Sequence, residues 1–442
     1  MTGREASLHV VKTLRERGHD AVFAGGCVRD MLMGRTPSDY DVATSATPDQ
    51  IIEVFPRTVP VGKAFGVVVV IVDGQNVETA TFRSDGPYSD GRRPDYVRFT
   101  DRAGDVRRRD FTVNGLLFDP VIEEVIDLVG GRADIDAHLI RAIGEPAHRF
   151  EEDRLRLLRA VRFATVLDFQ VEPQTACAIR SLAPHITEVS AERVAEELRK
   201  IMVHPRRARG LELMDRLGLL ERVLPEVAAM KGVSQGERQH PEGDVFAHSL
   251  LSIEALRPDP SFELAMATLL HDVGKPATAE VVEGAIFVRH APVGADIAQE
   301  ICKRLRLSNS EAEHITWLVR NHMRFRDVHQ MRDSTLKRLL SEPYFDDLAE
   351  LIRCDIMGSR GDLEIYDYAM ARKREFENSG QRVEPLLSGD DLISMGLKPG
   401  PLFRELLEAL TDAQLEGKVG DREQAENFIR RLVDQKRTTG KA

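Results

Sequence analysis

Helical and strand-like spacings of apolar positions alternate over the first 140 residues of the chain. The stretch FGVVVVIVDGQNVETATF, residues 65–82, carries β-branched runs on both sides of Asp73-Gly74, which predicts a hairpin of two strands. Strands this short predict a mixed sheet. From Arg149 onward the 3.6-residue period takes over, as in EEDRLRLLRAVRFATVLDF (151–169) and SAERVAEELRKIMV (190–203), and only AIFVRH (285–290) reads as extended. Apolar periodicity lapses at Gly144-Glu145-Pro146, from Gly232 to Gly243 and from Glu377 to Pro385. These joints predict an α+β head over residues 1–145, then helical segments over 146–235, 236–375 and 376–442. There is no internal repeat, and the terminal QKRTTGKA is expected to fray.

At 442 residues the chain is too long for one domain, and its 42% hydrophobic and 30% charged residues exclude disordered and fibrous classes. The longest apolar run, Phe65 to Val72, is too short to span a bilayer, and the N-terminus lacks the layout of a signal peptide. The expected location is the cytoplasm, without membrane partners. Cys27, Cys177, Cys302 and Cys354 form no CxxC pair, so neither a disulfide framework nor a thiolate zinc site is indicated. A formal charge of −11 excludes one continuous basic surface but not local basic grooves.

The chemistry concentrates first in AVFAGGCVRDMLMGRTPSDYDVAT, residues 21–44. Gly25 and Gly26 separate a short apolar strand from a helix, where backbone amides approach an anion and Arg29 supplies a charged donor to phosphate. Asp39 and Asp41, on a strand, would point to one face about 7 Å apart, a spacing suited to sharing magnesium ions. Asp134 and Asp136 repeat that spacing without the glycine element and serve as the internal comparison.

This GGxVRD…DxD pattern, with RRRDFTVNGLLFD (107–119) and EEDRLRLLRAVRFA (151–164) in the same order, resembles the class II tRNA nucleotidyltransferase and bacterial poly(A) polymerase family. The resemblance implies a DNA polymerase beta-like head followed by a helical neck, a body and a tail. It implies that Asp39 and Asp41 bind catalytic magnesium, that Glu78 completes the catalytic carboxylate set, and that Arg109 and Asp110 contact triphosphate and ribose. Gly115 stands where the family commonly has alanine. Asp153 and Arg156 lie three apart on a predicted helix, and Arg159 and Arg162 extend the row into a slanted ridge. An isolated pair at this spacing is an ordinary helical ion pair; the family resemblance makes it the reader of the incoming base. A carboxylate accepts from the exocyclic amine of cytosine or adenine and a guanidinium donates to ring acceptors, whereas uracil and guanine face the carboxylate with a carbonyl. Residues 84–99, SDGPYSDGRRPDYVRF, form a polar loop whose RRP element resembles the one that supports the switch from C to A. VGKAFGVVVVIV resembles the CCA-adding form rather than the more basic stretch of poly(A) polymerases.

A second constellation follows residue 240, with His248, the adjacent His271-Asp272 and Asp355 as nitrogen and oxygen ligands for a divalent transition metal. Lys275 is placed to face a phosphate, and His290 and His322 are candidate ligands of a second ion. The order H…HD…D resembles the HD phosphohydrolase superfamily, a module that follows the head in many bacterial CCA-adding enzymes. Lys200, His204, Arg206, Arg207 and Arg209 cluster at a predicted helix end, where they would either cap the helix or meet RNA phosphates. The expected activity is template-independent addition of C, C and A to tRNA from CTP and ATP, with an accessory metal-dependent phosphohydrolase. The alternatives are a poly(A) polymerase, an A-only enzyme, or an HD phosphohydrolase or RNA-binding regulator with an inactive head.

Overall fold

The computed structural model describes every residue except 87, 89–94, 236–242, 281–285, 288, 360, 380–385 and 439–442. The Arg92-Arg93-Pro94 element of the expected loop, and parts of the joints near 240 and 380, lie outside the described residues. The chain divides into two compact units, Met1–Ala229 with Arg304–Leu307, and Met230–Lys303 with Ser308–Ala442.

In the first unit, helix α1 (Gly3–Glu16) leads to strand β1 (Ala21–Ala24), helix α2 (Gly26–Leu32), strand β2 (Val42–Thr44) and helix α3 (Pro48–Val54). Strands β3 (Thr58–Gly62), β4 (Val67–Val72) and β5 (Gln75–Thr81) follow, then β6 (Arg83–Asp85) and β7 (Val97–Phe99), which among the described residues form a separate two-stranded sheet. Strands β8 (Leu116–Asp119) and β9 (Glu124–Asp127) complete a seven-stranded sheet in the order β3-β4-β5-β2-β1-β8-β9. It is mixed: β2 and β5 run parallel and the other neighbours antiparallel. The expected hairpin is β4–β5, with Val72 opposite Gln75 and a two-residue turn at Asp73-Gly74. Every residue of β1, β2 and β8 is buried, and α1 covers the sheet with Ala6, Val10, Val11 and Leu14.

Helices α4 (Arg102–Arg107), α5 (Gly131–Asp136), α6 (Pro146–Glu152), α7 (Arg156–Leu167), α8 (Pro173–Leu182), α9 (Ala191–Met202) and α10 (Arg207–Arg216) accompany the sheet, with α9 and α10 packed on α7 and α8 on α6. The continuous helix expected over 151–169 is instead α6 and α7, broken between them. Asp153 takes extended backbone angles (φ −144°, ψ 103°), and its side chain accepts from the Leu155 amide at 3.1 Å. A short acidic side chain that bonds its own backbone competes with helical continuation, which a count of apolar periodicity misses.

The second unit is helical, with Val245–Glu254, Phe262–Leu270, His290–Arg304, Asn309–Asn321 and Phe345–Gly358 among its helices. Its one described ladder joins Ala279–Glu280 to Ile286–Phe287, in the segment expected to be extended. Tail helices Pro401–Leu415 and Arg422–Thr438 close on Leu406, Leu410, Ala425 and Ile429, each fully buried. Among the described residues no helix is long and apolar enough to cross a membrane.

Candidate active site

A cleft of about 550 Å³ opens in the first unit. Gly25, Gly26, Arg29, Asp41, Glu78 and Arg109 line it, and so do Asp110, Asp153, Arg156 and Arg159. Asp39 and Arg162 are not among its lining residues.

Gly25 caps α2 with φ 79° and ψ −131°, and a Cβ there would lie 2.8 Å from Arg109 Nη1. Only glycine combines this backbone conformation with so close a guanidinium. Its amide already donates to the Leu116 carbonyl at 2.9 Å, so Gly25 shapes the wall rather than binding through its own N–H. Arg29 donates to Asn114 Oδ1 at 2.7 Å and lies 2.8 Å from Asp30.

Asp39 and Asp41 sit ahead of β2, not within it, and Asp39 accepts from the Ser38 hydroxyl at 2.9 Å. The parallel register Val42↔Thr79 sets Asp41 beside Glu78 on the neighbouring strand. Although Asp41 remains solvent-accessible, surrounding protein atoms withdraw enough water to push its carboxyl up to about 6, helped by Glu78 and Asp39 and opposed by Arg109. Such a concentration of acidic oxygens suits divalent cations, which is the fit expected for magnesium. The comparison pair behaves differently: Asp134 is buried in α5, where it accepts from Thr112 at 2.6 Å and from Arg141 at 3.1 Å.

The arginine ridge is more divided than its spacing implies. Asp153 receives both nitrogens of Arg193, at 3.1 and 2.8 Å, rather than pairing with Arg156. Arg156 donates to Glu152 at 2.5 Å and to the Arg149 carbonyl at 2.8 Å. Arg159 grips Asp110 at 2.5 and 2.8 Å, and Arg162 turns to Glu197 at 2.5 Å. Burial would raise Asp110, yet Arg159 and Asn114 hold its carboxyl down at about 2. The Phe163 ring unites the row, with Arg29, Arg159 and Arg162 at 5.6, 5.3 and 4.0 Å from its centroid.

Several residues went unpredicted. Asn114 joins Arg29 to Asp110, and Asp105 holds Arg108 through Oδ1 at 2.7 Å and Arg109 through Oδ2 at 2.9 Å. Asp105 was discoverable, because it precedes those arginines by three and four residues on a helical turn. Glu152 carried the same local signal for Arg156. Arg193 carried none, lying 40 residues from Asp153.

In the second unit His248, His271 and Asp355 bring one ligand atom each within 4.8 Å of one another, and Asp272, His290 and His322 do the same. All six are buried. Gly274 permits this convergence, since a Cβ would lie 2.2 Å from the His290 carbonyl. Burial alone would lower His271, but Asp272 and Asp355 keep its imidazole up at about 10. Imidazoles and carboxylates converging in an apolar interior form a donor set that fits divalent cations.

The basic cluster is corrected in part. Arg207 is fully buried and donates to the Met202 carbonyl at 2.8 Å, so it closes the end of α9 and does not face RNA. Lys200 lies 3.4 Å from Glu197, Arg206 is 3.3 Å from Asp168, and Arg209 also bonds Asp168.

Residues 21–141 match the poly A polymerase head domain, 168–231 the probable RNA and SrmB-binding site of polymerase A, and 245–350 the HD domain. The chain thus carries a poly A polymerase head domain and an HD domain, and the proteins it is similar to are CCA-adding enzymes. The CCA-adding enzyme of Geobacillus stearothermophilus is 43% identical over 216 residues, 49% of this chain and 53% of that one. That of Lactobacillus johnsonii is 39% identical over 238 residues, 54% and 58% of the two chains. The chain thus spans about half the length of the curated relatives it matches. The Bacillus stearothermophilus CCA-adding enzyme solved with CTP superposes over 99% of this chain and 100% of its own, with a TM-score of 0.75 and 27% identity. The Thermotoga maritima CCA-adding enzyme solved with tRNA shares the fold over 96% and 94% of the two chains, at 18% identity and a TM-score of 0.60.

Proposed function

We propose that the protein adds C, C and A to the 3′ end of tRNA, without a nucleic-acid template, from CTP and ATP. The observation that carries this reading is the single cleft joining Asp41 and Glu78 to Asp153, Arg156 and Arg193. Magnesium ions held by Asp39, Asp41 and Glu78 would activate the 3′ hydroxyl of the RNA and stabilise the departing pyrophosphate. Arg29 and Arg109 hold the triphosphate, and the Asp110–Arg159 pair fixes the floor on which the sugar rests. Asp153 accepts from the exocyclic amine of C or A while Arg156 donates to the ring, so uracil and guanine leave buried groups unpaired. The related enzymes solved with CTP and with tRNA support this assignment.

In the same reading, residues 1–145 are the catalytic head, 146–235 the base-reading and RNA-binding neck, 236–375 the HD body and 376–442 a tail that meets tRNA. Lys200 and Arg206 contact RNA phosphate, and the enzyme works in the cytoplasm. The HD body is a second, metal-dependent phosphohydrolase, with His248, His271, Asp272 and Asp355 holding a transition metal. The deciding experiment supplies tRNA lacking CCA with CTP and ATP, separately and together, and sequences the 3′ ends. CC from CTP alone and CCA from the mixture are expected. A long A tract from ATP alone would overturn the assignment in favour of a poly(A) polymerase.

A further inference from the structure

We propose that the open face of β3 and β4 beside Glu78 seats the 3′ end of the acceptor RNA, with the terminal base lying on Val59, Val69 and Ile71 and the phosphate on its 5′ side held by Arg57. The proposal rests on the nucleotidyl-transfer reading and locates the acceptor within it.

Strand register builds this face. Val59 lies opposite Val69, and Val69 opposite Glu78, so the three side chains form one row across β3, β4 and β5 on the same side of the sheet. Two residues along β4, Ile71 lies opposite Asn76, and its amide donates to the Arg57 carbonyl at 2.9 Å, which carries that row to the outer edge. Two residues the other way, Val67 lies opposite Ala80, and both line the cleft with Glu78. Val68 and Val70, which alternate with these residues, are fully buried where α1 and α3 pack on β4. Val59, by contrast, is 45% exposed, and Val69 and Ile71 are half-buried. Arg57 is exposed and makes no ion pair among the described residues.

In-line geometry gives the face its occupant. Phosphoryl transfer needs the attacking and departing oxygens on opposite sides of the phosphorus. The groups assigned to the triphosphate, Arg29 on α2 and Arg109 ahead of β8, flank β1 and β8, whereas Asp41 and Glu78 stand at β2 and β5. In the order β3-β4-β5-β2-β1-β8-β9 the carboxylates separate the triphosphate side from β4 and β3, so the attacking hydroxyl arrives over β4 and β3. Its 3′ oxygen bonds to the α-phosphorus as the bond to the bridging oxygen of the β-phosphate breaks; the hydroxyl proton passes to water and pyrophosphate leaves. Strands about 4.8 Å apart put Val59 about 10 Å and Arg57 about 12 Å from Glu78, the span of a nucleotide and its 5′ phosphate. Aliphatic side chains offer a base apolar contact but no donor or acceptor, so the face accepts each successive 3′ end whatever its base. A second copy adding a strand at the β3 edge is disfavoured, because Pro60 lacks an N–H and the register shifts between Val59 and Gly62.

The test uses the full chain, tRNA lacking CCA, and the same tRNA carrying 4-thiouridine at its 3′ end for photocrosslinking. The crosslink should map to residues 57–71. Val59→Asp should lower the single-turnover rate of the first C addition about tenfold at saturating CTP, and Arg57→Ala severalfold, with melting temperature, CTP affinity and discrimination against UTP unchanged. Val59→Leu and Arg57→Lys should keep most of the parent rate. Crosslinks confined to other segments, or a parent-like rate in Val59→Asp, overturn the proposal while nucleotidyl transfer stands. A Val59→Asp variant that dissociates a dimer in sedimentation, at an unchanged rate, does the same and assigns the face to a second copy. Parent protein that adds no nucleotide to tRNA overturns the underlying reading as well.

Discussion

Asp153 is clamped by Arg193, with guanidinium nitrogens at 3.1 and 2.8 Å from its two oxygens. The carboxylate proposed to read the base is therefore oriented from α9, while its proposed partner in that role, Arg156, is oriented by Glu152 at 2.5 Å. Each half of the proposed protein template has its own support.

Arg193→Ala should free Asp153 to rotate and blur the distinction between an amine and a carbonyl on the incoming base. A charge-assisted bidentate bond of about 1.5–3 kcal/mol corresponds to about a 10- to 100-fold loss in kcat/KM for CTP and ATP. UTP incorporation should rise relative to CTP, while inhibition by pyrophosphate stays constant. Steady-state kinetics with each nucleotide, read beside the melting temperature, checks this. Equal losses for all four nucleotides would show that Arg193 only supports the fold.

The opposite pattern is expected at Asp105, which is 1% exposed and holds Arg108 and Arg109 on separate oxygens. Removing it leaves two guanidinium groups without their anchor. Asp105→Ala should raise KM for CTP and ATP together without altering base selection, and lower stability by about 3 kcal/mol. Denaturant midpoints and competition between nucleotides measure the two effects separately.

How much of this was legible in the chain depends on distance along it. Gly25, Gly26 and Arg29 announced themselves through local spacing, and the Asp73-Gly74 turn placed β4 and β5. Glu78 could be set beside Asp41 only through the β2–β5 register, which no local pattern contains. The break at Asp153 was hidden because apolar periodicity runs unbroken through α6 and α7, while the competing bond from Asp153 to the Leu155 amide is a property of one side chain. Arg193 is a tertiary contact, without any signal near Asp153. The histidine–aspartate centre was half legible: His271-Asp272 is a local signature, but the sharing of Asp272 between two triads appears only once five separate helical segments converge.

Asp110 supplies a pH dependence of known sign. Its carboxyl falls from the usual 3.8 to about 2, because Arg159 and Asn114 outweigh the cost of burial. A depressed folded-state value means stability that is fully present above about pH 4 and lost as pH falls through about 2. Arg159 is 33% exposed, so solvent screening reduces the contribution to about 1–2 kcal/mol. Asp110→Asn should therefore be less stable than the parent protein at pH 7, and the gap should narrow between pH 4 and pH 2. Urea midpoints across that range test it; a gap independent of pH would assign the loss to packing instead.

The final prediction separates two adjacent arginines that the sequence presents alike. Arg207 is fully buried, its Nε 2.8 Å from the Met202 carbonyl, where it satisfies the last turn of α9. Arg206 leaves 44% of its side chain exposed beside Asp168. Arg207→Ala should cost about 2–3 kcal/mol through unpaired carbonyls and lost packing, yet leave the salt dependence of tRNA binding unchanged in the folded protein. Arg206→Ala should hardly alter stability. If Arg206 meets an RNA phosphate, its removal lowers the slope of log affinity against log salt by about 0.7–0.9, the release of one counterion. Binding titrations at several salt concentrations, on protein verified folded by melting, distinguish the two. A reduced slope in Arg207→Ala would mean that its guanidinium leaves α9 to meet RNA, contrary to its burial.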